Sequence, residues 1–459
     1  MARPNRKFVA TLASLAALTL ALSACSGDAP TGGAPETIDT SQASGEVSYW
    51  LWDSNQQPAY QKCADAFQQA NPNVTVQITQ YGWGDYWTNL TNGFVAGTAP
   101  DVFTNHVSRY PEFVAQEQLL ALDETLAQDN IPTDIYQEGL AELWVGQDGK
   151  RYALPKDFDT VAIFYNKSLV QDAGVTEAEL RDMTWNPDDG GSYERIIARL
   201  TVDNNGVRGD EPGFDKNNVA VYGLGMDGGA GGPSGQTQWS MYSGTTGWTH
   251  TDKNPWGSRY NYDDPRFQAT VAWWKGLIDK GYMPTLAAVT GQGSSDIFAA
   301  GKYAMLTNGS WMTNQMFSYA SVETGLAPTP KGPGGERASM LNGLGDSVWI
   351  GSDNKAAAVK WVEFLGSPTC QNVVGQDAVV LPAIPSATDA AIAAWEGKGI
   401  DVSAFTVHVE EGTTHQWPIT DRASEITNIM NPAMDAVISG SADVTSLTTA
   451  NEQVNALLG

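Results

Sequence analysis

The sequence is poor in the residues that build metal and catalytic sites. It has four histidines and three cysteines in 459 residues, and none of them has the spacing of a zinc site. It also lacks Gly-x-Ser-x-Gly, His-Glu-x-x-His and a phosphate-loop glycine pattern. These absences disfavour metalloenzymes, serine hydrolases and nucleotide-binding proteins. We therefore expect no catalytic residue, no metal and no cofactor.

Basic residues are half as frequent as acidic ones. There are 26 Lys and Arg against 52 Asp and Glu, which gives a formal charge of −26. Such a surface repels nucleic acid and anionic lipid headgroups. We expect a neutral or cationic ligand and no nucleic acid, although a local basic cavity could override this expectation. A glycosidase needs two facing carboxylates, and the sequence singles out no such pair.

Long apolar runs are rare, and the one near the N-terminus is short. Residues 8–22 carry no charge and follow Arg3, Arg6 and Lys7. The run is too short for a comfortable transmembrane helix but fits a signal-peptide core. It ends at Leu22-Ser23-Ala24-Cys25, which resembles a bacterial lipobox. We predict a lipoprotein signal peptide at 1–24 and lipid attachment at Cys25, on the extracellular face of the cell membrane; the alternative is an ordinary signal peptide with an incidental cysteine.

The remaining chain reads as a tether followed by two α/β domains. Residues 26–45 are rich in Gly, Ala, Pro, Ser and Thr. This composition predicts a flexible tether, and together with the lipidated Cys25 the segment spans residues 25–45. About 410 residues follow, which favours two domains over one. Strand patterns alternate with helix patterns from residue 46 onward, and this alternation predicts a mainly parallel sheet flanked by helices.

Aromatic and polar side chains follow each of the first three predicted strands. Trp52 and Asp53 follow the first strand, Trp83 follows the second, and Asn105 and His106 close the third. Ligands of open α/β sheets bind beyond the carboxyl ends of the strands. Indole rings stack on the apolar face of a sugar, and carboxylates and amides bind its hydroxyl groups. The alternative for each single tryptophan, of which there are 16, is core packing.

An acidic loop raises the question of calcium. Asp203-Asn204-Asn205-Gly206 begins like a calcium loop, but Val207 and Phe214 occupy positions where an EF-hand needs oxygen ligands. A plain Asp- and Asn-rich loop is the preferred interpretation, and a looser calcium site stays open.

Several segments in a fixed order resemble family 1 of the extracellular solute-binding proteins, which includes the maltose-binding proteins. The matching segments are Ala96-Gly97-Thr98-Ala99-Pro100-Asp101-Val102, Tyr152-Ala153-Leu154-Pro155, Phe164-Tyr165-Asn166-Lys167, Phe298-Ala299-Ala300-Gly301-Lys302-Tyr303-Ala304-Met305, Asn308-Gly309-Ser310-Trp311 and Leu381-Pro382-Ala383. Each segment is weak evidence alone, and their common order and spacing make the resemblance specific.

The resemblance implies a two-lobed periplasmic-binding-protein-like fold of type II with the ligand cleft between the lobes. We expect lobe one at 46–155 and 339–382, and lobe two at 156–338 and 383–459. This division places Cys63 and Cys370 in the same lobe, where they form either a disulfide or two buried thiols. It also implies ligand-binding residues on both lobes. Together with the strand-end residues, the expected set is Trp52, Asp53, Trp83, Asn105, His106, Asp157, Asp159, Trp239, Trp248, Trp311 and Trp417.

The function implied by the resemblance is capture of a mono- or oligosaccharide by a monomer that closes over it. The expected partners are the carbohydrate, the permease subunits of an ABC importer and the membrane, the last through the lipid anchor. Two other classes remain as alternatives: a secreted carbohydrate-active enzyme, such as a glycosidase or lyase, and a surface carbohydrate-binding adhesin.

Overall fold

The computed structural model describes residues 37–459. The predicted signal peptide, the lipid-attachment Cys25 and most of the predicted tether lie outside the described residues. The strands are β1 (Gly45–Leu51), β2 (Val74–Gln80), β3 (Val102–His106), β4 (Leu154–Asp159), β5 (Val161–Asn166), β6 (Val202–Asp203), β7 (Val219–Leu224), β8 (Tyr303–Gly309), β9 (Thr324–Ala327), β10 (Ser339–Val348), β11 (Leu381–Pro382) and β12 (Thr414–Gln416).

Helices flank both sheets. They are α1 (Gln57–Ala70), α2 (Trp83–Ala96), α3 (Tyr110–Ala115), α4 (Asp123–Gln128), α5 (Lys167–Asp172), α6 (Glu177–Arg181), α7 (Gly191–Leu200), α8 (Ser240–Ser243), α9 (Pro265–Asp279), α10 (Leu286–Val289), α11 (Ser294–Ala299), α12 (Thr313–Ser318), α13 (Lys355–Leu365), α14 (Pro368–Asp377), α15 (Pro385–Gly397), α16 (Ser403–Glu410), α17 (Ala423–Ile438) and α18 (Ser446–Leu458). In the described part of the chain, none of these helices combines the length and apolarity needed to cross a membrane.

The first sheet carries the three predicted strand ends on one edge. Its order is β11-β4-β10-β3-β1-β2, with β12 paired to β10. β1 is parallel to β2 and β3, and β10 runs antiparallel to both β3 and β4. It follows that β4 runs in the same direction as β3. The carboxyl ends of β1, β2, β3 and β4 therefore share one edge of the sheet, as the strand-end argument expected.

The second sheet has the order β6-β7-β8-β5-β9. Its first strand along the chain is β5, which is separated from the end of β4 by the single residue Thr160. The chain passes between the sheets at Thr160, so β5 enters at the edge where β8 ends, and Val161 pairs with Gly309. Because β5 enters from that edge, it runs antiparallel to β8 and β9, while β7 is parallel to β8. The two-lobed α/β fold is confirmed, but its strand directions are more mixed than the expected mainly parallel sheets.

Two C-terminal elements belong with the first sheet, although the segment 383–459 was assigned to lobe two as a whole. α15 packs against α14 and β11, and β12 pairs with β10. α17 and α18 pack together, and Asn451 and Asn455 of α18 accept backbone N–H groups from Tyr262 and Tyr260. The C-terminal segment thus contacts both halves of the molecule.

A disulfide joins two helices on the first sheet. Cys63 of α1 and Cys370 of α14 are bonded, with their Cα atoms 5.2 Å apart and neither side chain exposed. α1 begins with a proline in its first turn and buries one face of apolar residues at helical spacing, ending with Phe67 against Trp361 of α13. The disulfide alternative of the sequence analysis is confirmed, and the crosslink ties the two ends of a discontinuous lobe.

Candidate ligand site between the lobes

Four aromatic rings form a cluster where β1 and β2 end. The ring of Trp52 lies 5.0 Å from Trp83, 5.2 Å from Tyr86 and 5.4 Å from Trp87, measured between centroids. These edge and tilted contacts are the favoured geometries for aromatic pairs. The other rings are buried or half-buried, whereas Trp83 is 48 % exposed. Because α2 begins at Trp83, the first turn of that helix presents an indole to solvent at the sheet edge.

His106 closes β3 beside this cluster. Its ring lies 5.6 Å from Trp83 and 5.0 Å from Trp417, and the ring is almost completely buried. Burial, reinforced by the positive charge of Arg109, lowers the pKa of His106 to about 3, so the imidazole is neutral at physiological pH. Asn105 points elsewhere: its amide donates to the hydroxyl of Ser347, and its carbonyl accepts the His106 backbone N–H. Asn105 therefore shapes the strand end rather than the exposed rim.

Three carboxylates lie beyond the aromatic cluster at the ends of β1 and β4. Asp53 accepts hydrogen bonds from the backbone of Asn55 and the side chain of Gln56, and burial raises its pKa. Asp157 is fully buried, neither of its carboxyl oxygens has a hydrogen-bond partner in residues 37–459, and burial raises its pKa strongly. Asp159 accepts a 2.8 Å hydrogen bond from Ser310, and burial raises its pKa to about 7.

The Asp159–Ser310 hydrogen bond joins the two sheets at their passage. Asp159 ends β4 of the first sheet, and Ser310 follows β8 of the second. The backbone N–H of Ser310 also donates to the carbonyl of Thr160. A carboxyl group with a raised pKa can donate as well as accept, which suits binding to hydroxyl groups.

A buried lysine anchors β4 behind these carboxylates. The Lys156 ammonium donates to the Tyr49 hydroxyl and the Thr104 hydroxyl at 2.8 Å each, and lies 3.7 Å from the centroid of Tyr60. Asp346 is 3.9 Å away and supplies the opposite charge. Since each donor faces a partner, the network holds the strand that carries Asp157 and Asp159.

A cavity opens between the two halves next to Trp83. One wall comes from the β3 side and includes Trp83, His106, Ser108 and Arg109. The opposite wall comes from the second half and the C-terminal segment: Pro233, Ser234, Tyr260, Trp417, Pro418, Ala423, Ile426 and Thr427. Trp83, His106 and Trp417 were predicted from sequence, and they lie together here. Trp52 connects the cavity to the carboxylates, because it contacts His106 at 6.4 Å and precedes Asp53.

Other predicted residues do not reach this cluster. Trp239 is completely buried, donates its indole N–H to the Ala230 carbonyl, and packs against Phe267. Trp248 is also buried, stacks on Phe267 at 4.6 Å and donates to the Asn261 carbonyl. Trp311 is half-buried and lies against Gly309, where an added Cβ would collide with its ring at 1.8 Å. Trp239 and Trp248 thus occupy core positions, whereas Trp311 follows the hydroxyl that binds Asp159.

Sequence reasoning missed several residues that line the gap. Arg109 lies three positions after His106, so the same strand-end argument could have found it. Ser310 belongs to the family segment Asn308-Gly309-Ser310-Trp311, but the sequence predicted no binding role for it. Tyr260 and the first turn of α17 carry no local signal, since only the tertiary fold brings them opposite β3.

Metal-ligating side chains are not clustered at the gap or in the acidic loop of the described chain. The described residues contain no cluster of three or more side chains that could hold a metal ion. In the acidic loop, the Asp203 carboxylate accepts the backbone N–H groups of Asn205, Val207 and Asp215 at 2.8 to 2.9 Å. This is how an Asp-rich loop closes on itself. Aromatic rings, buried carboxyl groups with raised pKa and hydrogen-bond donors are the groups present at the gap.

The chain is similar to proteins that bind carbohydrates. It is 24 % identical over 440 residues to the galactooligosaccharide-binding protein of Bacillus subtilis, which covers 93 % of this chain and 91 % of the relative. An ABC substrate-binding protein from Listeria monocytogenes in complex with cycloalternan superposes with a TM-score of 0.76 at 20 % identity, over 91 % of this chain and 99 % of the other. The GacH receptor of Streptomyces glaucescens, solved unliganded and with acarbose, gives 0.72 at 23 % identity, over 90 % and 98 %.

These structural similarities are at low identity and establish the two-lobed fold. The family assignment comes from the model described as "Bacterial extracellular solute-binding protein", which matches residues 53–371, more than two thirds of the chain. The matched range contains Trp83, Tyr86 and Trp87 of the aromatic cluster, the three carboxylates and the whole second sheet, together with β2, β3, β4 and β10 of the first sheet. The chain belongs to the family of bacterial extracellular solute-binding proteins.

Proposed function

We propose that this protein captures a carbohydrate in the gap between its lobes and delivers it to the membrane subunits of an ABC importer. The observation that carries the proposal is the convergence of Trp83, His106 and Trp417 on one interlobe cavity, next to buried carboxyl groups. An indole offers a flat face to a sugar ring, and Asp53, Asp157 and Asp159 offer hydrogen bonds to hydroxyl groups. The relatives' names, which include a galactooligosaccharide and acarbose, support the same class.

The mechanism in this proposal is closure of the lobes over the ligand, as is established for periplasmic binding proteins. Ligand that contacts both lobes binds the closed form more tightly, and so shifts the population toward it by that difference in affinity. No bond of the solute is broken. Two lobes with one sheet each stay part of the proposal, but the expected limits shift: β4 extends the first sheet to Asp159, and α15 and β12 belong with the first sheet.

The location and anchoring are also proposals. Cys25 would carry the lipid after removal of residues 1–24, and the tether would hold the monomer at the extracellular face of the membrane. The family supports an extracytoplasmic location. Metabolic labelling with a radioactive fatty acid, comparing the wild type with Cys25→Ser, tests the anchor: label on both forms would contradict it.

The experiment for the main proposal is a thermal-shift screen against a panel of mono- and oligosaccharides, followed by calorimetry. We expect a hit to bind with one-to-one stoichiometry, and we expect Trp83→Ala and Trp417→Ala each to weaken binding roughly 3- to 10-fold, as lost ring contacts do. Trp349→Ala is the control, because Trp349 is half-buried beside Asp101 at the opposite end of β3.

Two outcomes would contradict the proposal. Release of shorter sugars during incubation would identify a carbohydrate-active enzyme. Binding that Trp83→Ala and Trp417→Ala leave unchanged would place the ligand elsewhere and favour a surface adhesin.

A further inference from the structure

One wall of the interlobe cavity carries a cation that forms no ion pair within 4 Å in the described part of the chain. Arg109 lines the cavity, and burial lowers the pKa of its guanidinium. Its hydrogen bonds in the described chain amount to one long contact of 3.4 Å, from Nη1 to the Ser424 hydroxyl. The guanidinium also lies 5.5 Å from the centroid of the Trp87 ring. A guanidinium has five N–H donors, so most of them have no protein acceptor.

The described residues that line this cavity include no carboxylate. Glu112 lies one turn along the chain, and its charge partly offsets the effect of burial on the pKa of Arg109. Its carboxylate accepts a 2.5 Å hydrogen bond from Ser424 and none from the guanidinium. No ion pair of Arg109 within 4 Å occurs among residues 37–459. The side chain is therefore a half-buried charge that lacks a close partner, which is costly unless something compensates for it.

His106 supplies a second donor to the same space. The backbone N–H of Ser108 donates to His106 Nδ1 at 3.1 Å, so Nδ1 must be the unprotonated nitrogen. In the neutral ring the hydrogen therefore resides on Nε2. His106 is only 4 % exposed, lines the cavity, and Nε2 has no hydrogen-bond partner among the described residues. An unpaired N–H on a buried side chain thus faces the cavity beside the guanidinium.

The first turn of α17 adds to the positive side of the cavity. Ala423, Ile426 and Thr427 line it, and this 16-residue helix begins at Ala423, directly after Arg422, without a side-chain cap. The free N–H groups and the helix dipole give a partial positive charge there. Arg109, His106 and the start of α17 thus all supply donors to this cavity, whereas the carboxyl groups of Asp53, Asp157 and Asp159 do not line it.

We propose that the captured carbohydrate carries an anionic substituent, a carboxylate or a phosphate, which binds Arg109 and the Nε2–H of His106. The inference rests on the proposed carbohydrate-binding function and specifies its ligand class. It reverses the expectation of a neutral or cationic solute drawn from the net charge of −26. The local arrangement decides binding at contact distance, because charge-assisted hydrogen bonds outweigh a diffuse field that salt screens.

The test uses sets of matched sugars. Calorimetry on the purified protein compares glucose with glucuronate and glucose 6-phosphate, and galactotriose with trigalacturonate. We expect at least one acidic member to bind about 10- to 100-fold more tightly than its neutral partner, the range of a charge-assisted pair. The carboxylate and phosphate members of the glucose set show which of the two anions is preferred.

Variants separate the charge from the fold. Arg109→Gln should remove the preference for the acidic member, Arg109→Lys should retain part of it, and Arg195→Gln, which removes an exposed arginine of α7, should leave it intact. Unchanged thermal unfolding of the ligand-free variants shows that they fold. Equal or tighter binding of the neutral partner, or a preference that survives Arg109→Gln, would overturn the inference while the proposed function stands. If neither acidic nor neutral carbohydrates bind, both proposals fail.

Discussion

Asp159 shows how burial changes the chemistry of one side chain at the passage between the sheets. Its carboxyl group is almost fully buried, and its pKa of about 7 lies well above the usual value of 3.8 mainly because burial penalises the charged form. The Ser310 hydroxyl works in the opposite direction by stabilising the carboxylate. The carboxyl group of Asp159 therefore titrates near neutral pH, where an ordinary aspartate would be ionised.

Replacing Asp159 with Asn should stabilise the protein only at higher pH. A raised folded-state pKa favours the folded state below about pH 3.8, and this advantage is lost as the pH rises through 7. Asn is neutral throughout and can still accept from Ser310. We expect Asp159→Asn to match the wild type in urea unfolding at pH 4 and to gain on the order of 2 to 4 kcal/mol at pH 8. Asp65→Asn, on the exposed face of α1, is the control, and an equal gain at both pH values would contradict the burial argument.

At the level of single residues, sequence position predicted some of the site. Trp83, His106 and Trp417 line the cavity because each lies at or just after the end of a strand of the first sheet. Trp239 and Trp248 look the same in sequence, yet they fill the core beside Phe267. Nothing local separates the two groups, since the burial of an indole depends on which distant elements pack over it.

Among the elements, α1 and α14 show how a distant chain segment completes a lobe. α14 lies about 300 residues after α1 in the chain. Ser367 caps this helix and a proline follows in its first turn, so that Cys370 also lies in the first turn, where it bonds to Cys63. The bond spans 307 residues. Closing so long a loop greatly restricts the unfolded chain, which is the usual account of disulfide stabilisation.

Removing this crosslink should lower stability without changing the fold. Cys63→Ala with Cys370→Ala replaces two fully buried sulfurs, and we expect a loss of about 2 to 5 kcal/mol in urea unfolding. Reductant should lower the stability of the wild type toward that of the double variant and leave the variant unaffected. An unchanged unfolding midpoint in the double variant would show that the bond contributes nothing.

The alternation of strands and helices from residue 46 onward was readable from the sequence. β1, α1, β2, α2 and β3 follow one another in the structure, as this alternation predicts. Strand direction in the second sheet was not readable, because it depends on β5 entering from the edge where β8 ends. Local periodicity in the sequence shows where a strand lies, but it does not show in which direction the chain enters the sheet.

For the whole molecule, a few side chains connect the lobes across the gap. Ser424, at the start of α17, donates to Glu112 and accepts from Arg109 on the opposite side. Gln147 donates to Asp421 at 2.8 Å in the same region. In the proposed mechanism, opening of the lobes would break these contacts, so they would contribute to the free-energy difference between closed and open forms.

Removing the Ser424 hydroxyl should favour opening. We expect Ser424→Ala to weaken binding of the sugar identified in the screen by roughly 3- to 10-fold, mainly through faster dissociation, as loss of one hydrogen bond to a charged group does. Stopped-flow dissociation and small-angle scattering with and without the sugar measure the two effects. Ser439→Ala, at the other end of α17, is the control. Dissociation rates that are equal in Ser424→Ala and the wild type would exclude this role.

The sequence by itself determined the α/β class, the order of the family segments and the polar-aromatic character of the strand ends, because these features depend on local patterns and on strands that share an edge. Only the tertiary structure decided which tryptophans face the gap, which cysteines bond and which charged side chain lines the cavity. Arg109 is the clearest case: the chain as a whole is strongly acidic, yet folding brings a guanidinium, a neutral imidazole and a helix start together in one cavity. The electric field in the cavity depends on the distances between charged groups in the folded protein, and these distances cannot be obtained from the composition of the chain.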